Sequence, residues 1–243
     1  SIIICSKDCK YENKNIFIIK KKDIRLFLSD IASKFYKLKP KNIIAVTGTN
    51  GKTSVADTFY QIFKINNIPV ATIGTLGIKY NGRIIKTSLT SPDTITLHKN
   101  LHNLKKKKIN NVILEASSHG LDQKRLHHIK FKGAIFTNFS QDHLDYHKTM
   151  KSYLNAKLIL LKEVLKKKST IITDRGIKPF SLINKIAKNK NLKLLTISKE
   201  LEKIKNIYSL SANNFKTKNL AMAIKAVKLC GLNDKSIYRS IKN

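Results

Sequence analysis

Cysteine is too scarce in this sequence to staple a fold: Cys5, Cys9 and Cys230 are the only three. Their uneven placement excludes a disulfide framework, and a single C-x-x-x-C lacks the second ligand pair that a structural zinc needs. All three read as ordinary reduced thiols. Acid is scarce too, with 15 Asp and Glu against 48 Lys and Arg, for a formal net charge of +33. Long apolar runs are missing. None approaches the roughly 18 residues of a membrane span, and the opening SIIIC is too short for a secretory segment, which leaves the cytoplasm as the expected compartment. Stacking aromatics in an array are missing as well, which argues against a specific nucleic-acid module despite the cation excess. The lysines are spread along the whole chain, as at Lys20 to Lys22, Lys105 to Lys108 and Lys166 to Lys168. They read as solvated surface whose positive field speeds the arrival of anionic ligands.

What is present is an alternation. With 243 residues, 42% of them hydrophobic, the chain can bury one large core or two small ones. After two short apolar runs, Ile2 to Ile4 and Ile16 to Ile19, a helix is predicted over Asp23 to Tyr36. From Pro40 onward, strands at Ile43 to Val46, Val70 to Ile73, Val112 to Leu114, Ala134 to Phe136, Thr170 to Thr173 and Leu192 to Ile197 are separated by helical patterns at Ser54 to Ile65, Pro92 to Leu104 and Tyr153 to Leu165. Two tail helices are expected at Asn219 to Cys230 and Asp234 to Ile241. This pattern predicts an α/β fold with a mainly parallel sheet flanked by helices. Asn81-Gly82 between Ile78-Lys79-Tyr80 and Arg83-Ile84-Ile85 signals a type I′ hairpin. Ser91-Pro92-Asp93 offers an N-cap, a first-turn proline and an acidic first turn.

The most informative stretch is Ile43 to Ser54, IIAVTGTNGKTS. Four apolar residues run into a glycine-flanked turn ending in Lys-Thr, in the order strand, turn, helix, which is how a chain cradles a nucleoside triphosphate. Gly48 and Gly51 let backbone N–H groups approach phosphate, and the helix start adds its positive dipole end. Lys52 would reach the terminal phosphates of ATP, and the Thr53 hydroxyl would hold Mg2+. The strict pattern G-x-x-x-x-G-K-[ST] wants glycine where Val46 stands, so the match is one of mechanism rather than of spelling.

Two further clusters follow strands. Glu115 ends the run Val112-Ile113-Leu114, at the carboxyl end of a strand where open α/β sheets bind ligands, and could complete the coordination begun by Thr53. Ser117 and Ser118 can equally cap the next helix. The segment Thr137 to His147 packs Asp142, His143, Asp145 and His147 beyond another strand. If helical, His143 and His147 could face one ion, with the acids orienting the imidazoles; structural histidines are the alternative. Lys157, among apolar neighbours, is on these grounds just another lysine.

Together, TGTNGKTS, EASSHGLDQKRL and TNFSQDHLDYHKTMKSYLNAK, in this order, resemble the Mur ligase family, and most of all its MurE type. The likeness is dense from Phe35 to Leu161 and weaker elsewhere. It implies a P-loop central domain of an ATP-dependent ligase that adds the third amino acid to UDP-N-acetylmuramoyl-L-alanyl-D-glutamate in peptidoglycan synthesis. Gly48, Thr49, Asn50, Gly51, Lys52, Thr53 and Ser54 would form the ATP loop, with Thr53 and Glu115 on one Mg2+. His143 would bind a second Mg2+ and Lys157 would carry a carbamate. Lys52, His143 and Lys157 are thereby the implied catalytic residues. Thr90, Ser91, Ser117, Gln123 and Arg125 would contact the UDP-linked substrate, although Leu89 and Ser91 depart from the family's more polar run. The likeness further leads us to expect residues 1–39 to be a remnant of an N-terminal UDP-binding domain and 40–243 a shortened central domain. The C-terminal ligase domain is expected to be absent and the chain to be a monomer, inactive by itself. A folylpolyglutamate-type or cyanophycin-type ligase and a basic nucleic-acid-binding protein are the competing readings.

Overall fold

Two short parallel strands, β1 (Ile2–Ser6) and β2 (Phe17–Lys21), stand apart from the main sheet in the computed structural model, which describes residues 2–12, 15–208 and 214–242. Helix α1 (Ile24–Phe35) follows, capped by Asp23, whose carboxylate accepts from Leu26 N. It docks on the rest of the chain through Ser29, which donates to His127 O at 2.7 Å.

The main body alternates as anticipated: β3 (Asn42–Thr47), α2 (Lys52–Ile65), β4 (Val70–Gly74), the hairpin β5 (Gly77–Tyr80) and β6 (Arg83–Ile85), α3 (Thr94–Lys106), β7 (Asn111–Glu115), α4 (Ser118–Asp122) and β8 (Gly133–Phe136). Then come α5 (Leu144–His147), α6 (Met150–Ile159), β9 (Thr170–Thr173), α7 (Phe180–Asn189), β10 (Lys193–Thr196), α8 (Ser198–Tyr208), α9 (Phe215–Leu229) and α10 (Asp234–Lys242). Eight strands form one sheet in the order β10-β9-β8-β3-β7-β4-β5-β6, parallel except at the β4-β5 and β5-β6 pairings. Asn81 and Gly82 both take positive φ, 47° and 75°, as a type I′ turn demands.

Burial on both faces explains why the central strands read as unbroken apolar runs. Along β3, Ile43 and Ala45 join the layer under α3 and α6, with Leu97, Leu101 and Leu158. Ile44 and Val46 point the other way, toward Phe59 and Phe63 of α2 and Met222 and Ile224 of α9. The strand's two-residue period thus feeds two cores. With β3 flanked by β7 on one side and β8 on the other, the carboxyl ends of these three strands meet at one edge of the sheet, where such folds place ligands.

Several boundaries differ from expectation. Asp93, not Ser91, caps α3, accepting from Thr96 N at 3.0 Å, because Ser91 is engaged with Glu115 O instead. Helix α6 starts at Met150, after the cap Thr149, and Leu160–Val164 closes it as a π-helical turn that buries Leu160, Leu161 and Val164. Helices α7 and α8 were not foreseen, and α9 begins at Phe215 rather than Asn219.

His98, on α3, is fully buried. Its Nε2 lies 3.3 Å from His127 O, and Nδ1 has no partner among the described residues. Burial, assisted by Lys39, lowers its pKa to about 4. A histidine depressed in the fold costs nothing above its unfolded value near 6.5. As pH falls from there toward 4, the unfolded chain takes up a proton that the fold refuses, so stability drops by about 3 kcal/mol. Urea midpoints at pH 7.5 and 4.5 test this: the acid-induced loss should shrink by that amount in His98→Gln, and an identical loss in both proteins refutes it.

Candidate active site

The turn after β3 is shaped by what it cannot accommodate. Gly48 and Gly51 adopt φ of 142° and 84°, open to glycine but strained for other residues. A Cβ on Gly48 would overlap Thr137 Oγ1, and one on Gly51 would sit 2.7 Å from Asn219 Oδ1. The segment after β8 cinches the turn in place. Asn138 O accepts from Thr49 N at 3.2 Å, Asn138 Oδ1 accepts from Asn50 N at 2.9 Å, and Thr137 Oγ1 donates to Asn50 O at 2.6 Å. Thr49 Oγ1 in turn accepts from Ser140 N at 3.0 Å. Gly51 precedes α2 without a side-chain cap, so the positive end of that helix faces the turn. Lys52 folds back across it, donating to Gly48 O at 3.0 Å and Thr49 O at 2.8 Å. Burial holds its pKa below the usual lysine value, against the pull of Glu115 and Asp142.

Glu115 is 2% exposed, and its charge is met by donors. Oε2 accepts from Thr53 Oγ1 at 3.0 Å and Thr75 Oγ1 at 3.1 Å, while Oε1 accepts from Thr75 N at 3.2 Å. Gly74 makes room for it, since a Cβ there would collide with Oε1. Thr75 escaped the sequence reading. Its signal was a Gly-Thr pair at the end of a strand that pairs with β7.

Lys157 is not an ordinary lysine. It is 1% exposed on α6, with Nζ donating to Gly48 O at 2.8 Å and lying 4.3 Å from the centre of the Tyr153 ring. Burial first and the neighbouring Lys52 second bring its pKa to about 7, against Asp142. A substantial share of the amine is therefore unprotonated near neutrality.

The pairing of His143 with His147 was expected only if one helix carried both. His143 has φ of 52° and precedes α5 rather than lying in it, so the His143/His147 pair is not a four-residue helical ligand pair. His143 accompanies Asp142, with Nε2 3.5 Å from Asp142 Oδ2, whereas buried His147 packs on Tyr153 at 5.2 Å between ring centres. His119 lies between both histidines, 5.1 Å from His143 and 5.5 Å from His147. Among the described residues no three His, Cys, Asp or Glu side chains converge on one ion. The segment chiefly braces the glycine turn.

Thr90, Ser91, Ser117, Gln123 and Arg125 form one connected strip beside Glu115. Ser91 donates to Glu115 O at 2.8 Å and shares a 3.0 Å contact with Ser117 Oγ, which also caps α4 through Gly120 N. Arg125 donates to Ser91 O at 2.7 Å and to Gln123 Oε1 at 3.1 Å. Thr90 Oγ1 is 3.2 Å from Thr75 Oγ1. On the other side of the turn, a hollow of about 190 Å3 is lined by Asn138, Asp174, Phe215, Lys218 and Asn219. The last four were not anticipated. A hollow of about 400 Å3 between the β5-β6 hairpin and α3 is lined mainly by apolar groups and touches none of these residues.

The chemistry of the glycine turn suits a polyphosphate: a helix N-terminus without a side-chain cap opens there, and Lys52 and Lys157 both reach Gly48 O. The oxygen donors of Thr53 and Glu115 are of the hard kind that suits Mg2+.

Known proteins resemble this chain in sequence and fold. The family profile "Mur ligase middle domain" matches residues 46–233. A UDP-N-acetylmuramoyl-L-alanyl-D-glutamate–2,6-diaminopimelate ligase of Rickettsia montanensis is 41% identical over 197 residues, 78% of this chain and 41% of that protein. Its counterpart from Agrobacterium fabrum is 45% identical over 145 residues, 60% of this chain and 30% of that one. The chain thus spans less than half the length of these relatives. A solved structure of a ligase of the same name superposes with a TM-score of 0.76 at 26% identity, covering 94% of this chain and 52% of the other. Mycobacterium tuberculosis folylpolyglutamate synthase, at 14% identity and a TM-score of 0.64 over 89% of this chain and 61% of its own, shares the fold.

Proposed function

Because this chain belongs to the Mur ligase family through its middle domain, we propose that it is the ATP-binding part of a ligase that extends UDP-N-acetylmuramoyl-L-alanyl-D-glutamate by one amino acid. The named relatives use 2,6-diaminopimelate, which is the first candidate for the incoming amine. The observation that carries the reading is the 3.0 Å bond between Thr53 and Glu115 at the mouth of the braced glycine turn.

In this reading Lys52 leaves the Gly48 and Thr49 carbonyls for the terminal phosphates, where its charge stabilises the transferring group. Bound Mg2+, held by Thr53 and Glu115, would neutralise phosphate charge. The strip from Thr90 to Arg125 orients the substrate carboxylate toward the γ-phosphate. Attack there forms an acyl phosphate and releases ADP, and the incoming amine then displaces phosphate. Asn219 and the hollow beside it are suited to the nucleoside end. In the same reading His143, exposed and with Nε2 3.5 Å from Asp142 Oδ2, would serve a second Mg2+ together with ligands from the substrates.

Lys157 has the chemistry for a carbamate: its unprotonated, neutral amine adds to carbon dioxide and releases one proton, leaving an anion, with two protons released in all when the start is the ammonium form. The expected result is a labile carboxyl group on Lys157 in gentle mass measurement of protein prepared in bicarbonate. Its absence, or its persistence in Lys157→Arg, contradicts the assignment.

The substrate is tested by calorimetry. UDP-N-acetylmuramoyl-L-alanyl-D-glutamate should bind at least tenfold more tightly than dihydrofolate, with the difference lost in Arg125→Ala. Preference for the folate would transfer the reading to the folylpolyglutamate type. Among the described residues no helix is long and apolar enough to cross a membrane, and a cytoplasmic site of action, with ATP at hand, is part of the proposal.

A further inference from the structure

A hollow of about 380 Å3 opens where the last turn of α2 meets α10. The glycine turn is at the other end of α2, whose 14 residues put about 20 Å of helix between the two. Lys235 and Arg239, four apart on one face of α10, line this hollow opposite Asn66 and Asn67, with Ser236 and Ser240 between them. No carboxylate lines it. Asp234, the nearest acid in the sequence, is already taken, with Oδ2 2.9 Å from Lys203 Nζ and Oδ1 2.7 Å from Lys228 Nζ. Neither Lys235 nor Arg239 has an ion-pair partner among the described residues.

Unpaired cations alone select nothing in a chain of net charge +33. What distinguishes this pair is a concave, fixed polar wall. Asn66 Nδ2 donates to Ser240 Oγ at 2.6 Å and to Ile62 O at 2.7 Å, and Ser240 Oγ donates to Ser236 O at 2.8 Å. The negative end of α2 is muted, since Phe63 O and Lys64 O already accept from Ile68 N at 3.0 Å and Asn67 N at 2.9 Å. The first turn of α10 borders the hollow through Lys235 and Ser236, but its end is already capped, with Ser236 N donating to Asn233 Oδ1 at 2.9 Å, and it carries Asp234, so the attraction for an anion rests on the side chains of Lys235 and Arg239.

We infer that this hollow is a second anion site, for a small phosphate-bearing molecule gripped by the planar fork of Arg239 and the ammonium of Lys235. It is separate from the nucleotide turn and stands whether or not ATP binds there.

Amide NMR titration with inorganic pyrophosphate at fixed ionic strength tests it. Saturable shifts are expected at Asn66, Asn67 and Ser236, at least tenfold weaker in the double variant Lys235→Gln with Arg239→Gln. Arg239→Lys, which keeps charge but loses the fork, should fall between. Binding of pyrophosphate to the glycine turn would register at Gly51 and Lys52 and is read independently. Lys106→Gln with Lys107→Gln removes the same charge from the end of α3 and should leave the shifts at Asn66, Asn67 and Ser236 unchanged. Shifts that never saturate, or equal weakening by the two double variants, would overturn the site.

Discussion

Alanine at Lys52 is expected to lower ATP affinity by about 100-fold, the equivalent of one strong charge-assisted contact to phosphate at roughly 2–3 kcal/mol. The loss should exceed that of an exposed lysine because Lys52 is largely buried and its ammonium is held beside the turn. Burial depresses its pKa in the free protein, and a triphosphate would raise it again, so ATP binding should also draw in protons as the pH rises through the free-state value. Calorimetry with a non-hydrolysable analogue and Mg2+ reads the affinity, and circular dichroism checks the fold. Unchanged affinity in a folded Lys52→Ala protein would remove the basis for the ATP reading.

Gly48→Ala should be more damaging still, costing 3 kcal/mol or more of stability and abolishing nucleotide binding. Its φ of 142° strains any side chain, and the new methyl group would run into Thr137 Oγ1, with the backbone N and O of Asn138 3.1 Å away. Thr137 cannot simply rotate aside, because its hydroxyl is held by Asn50 O at 2.6 Å and it is buried. Gly82→Ala is the control: φ is positive there as well, at 75°, but nothing lies within 4 Å of the added carbon, so the cost should stay near 1 kcal/mol. Urea midpoints of the two variants compare strain alone with strain plus collision. Equal losses would mean that Thr137 yields more readily than its hydrogen bonds suggest.

Local signals carried the parts of the fold that local physics decides. The run Ile43 to Val46 announced a strand buried on both faces, and Asn81-Gly82 announced its hairpin by the one backbone geometry those residues favour. Gly48 to Ser54 and Glu115 were legible because strand ends and glycine turns have short-range grammar. What escaped was settled by tertiary contact. Helices α7 and α8 are rich in lysine and asparagine, and in α7 only Ile183 and Ala187 are buried, a stripe too thin to stand out. Thr75 and Asn219 reach Glu115 and Gly51 only because β4 pairs with β7 and α9 packs on α2, which no spacing along the chain reveals. Lys157 had no local mark at all. Its distinction comes from being enclosed beside another lysine.

The bracing of Thr49 and Asn50 by Thr137, Asn138 and Ser140 has a kinetic consequence. A cradle already held in shape has little freedom left to surrender when its guest arrives, so less of the contact energy is consumed in ordering it. Capture of the nucleotide should then proceed at a rate governed by diffusion and electrostatic attraction rather than by loop rearrangement, and added salt or a viscogen, rather than hinge substitutions, should be what slows it.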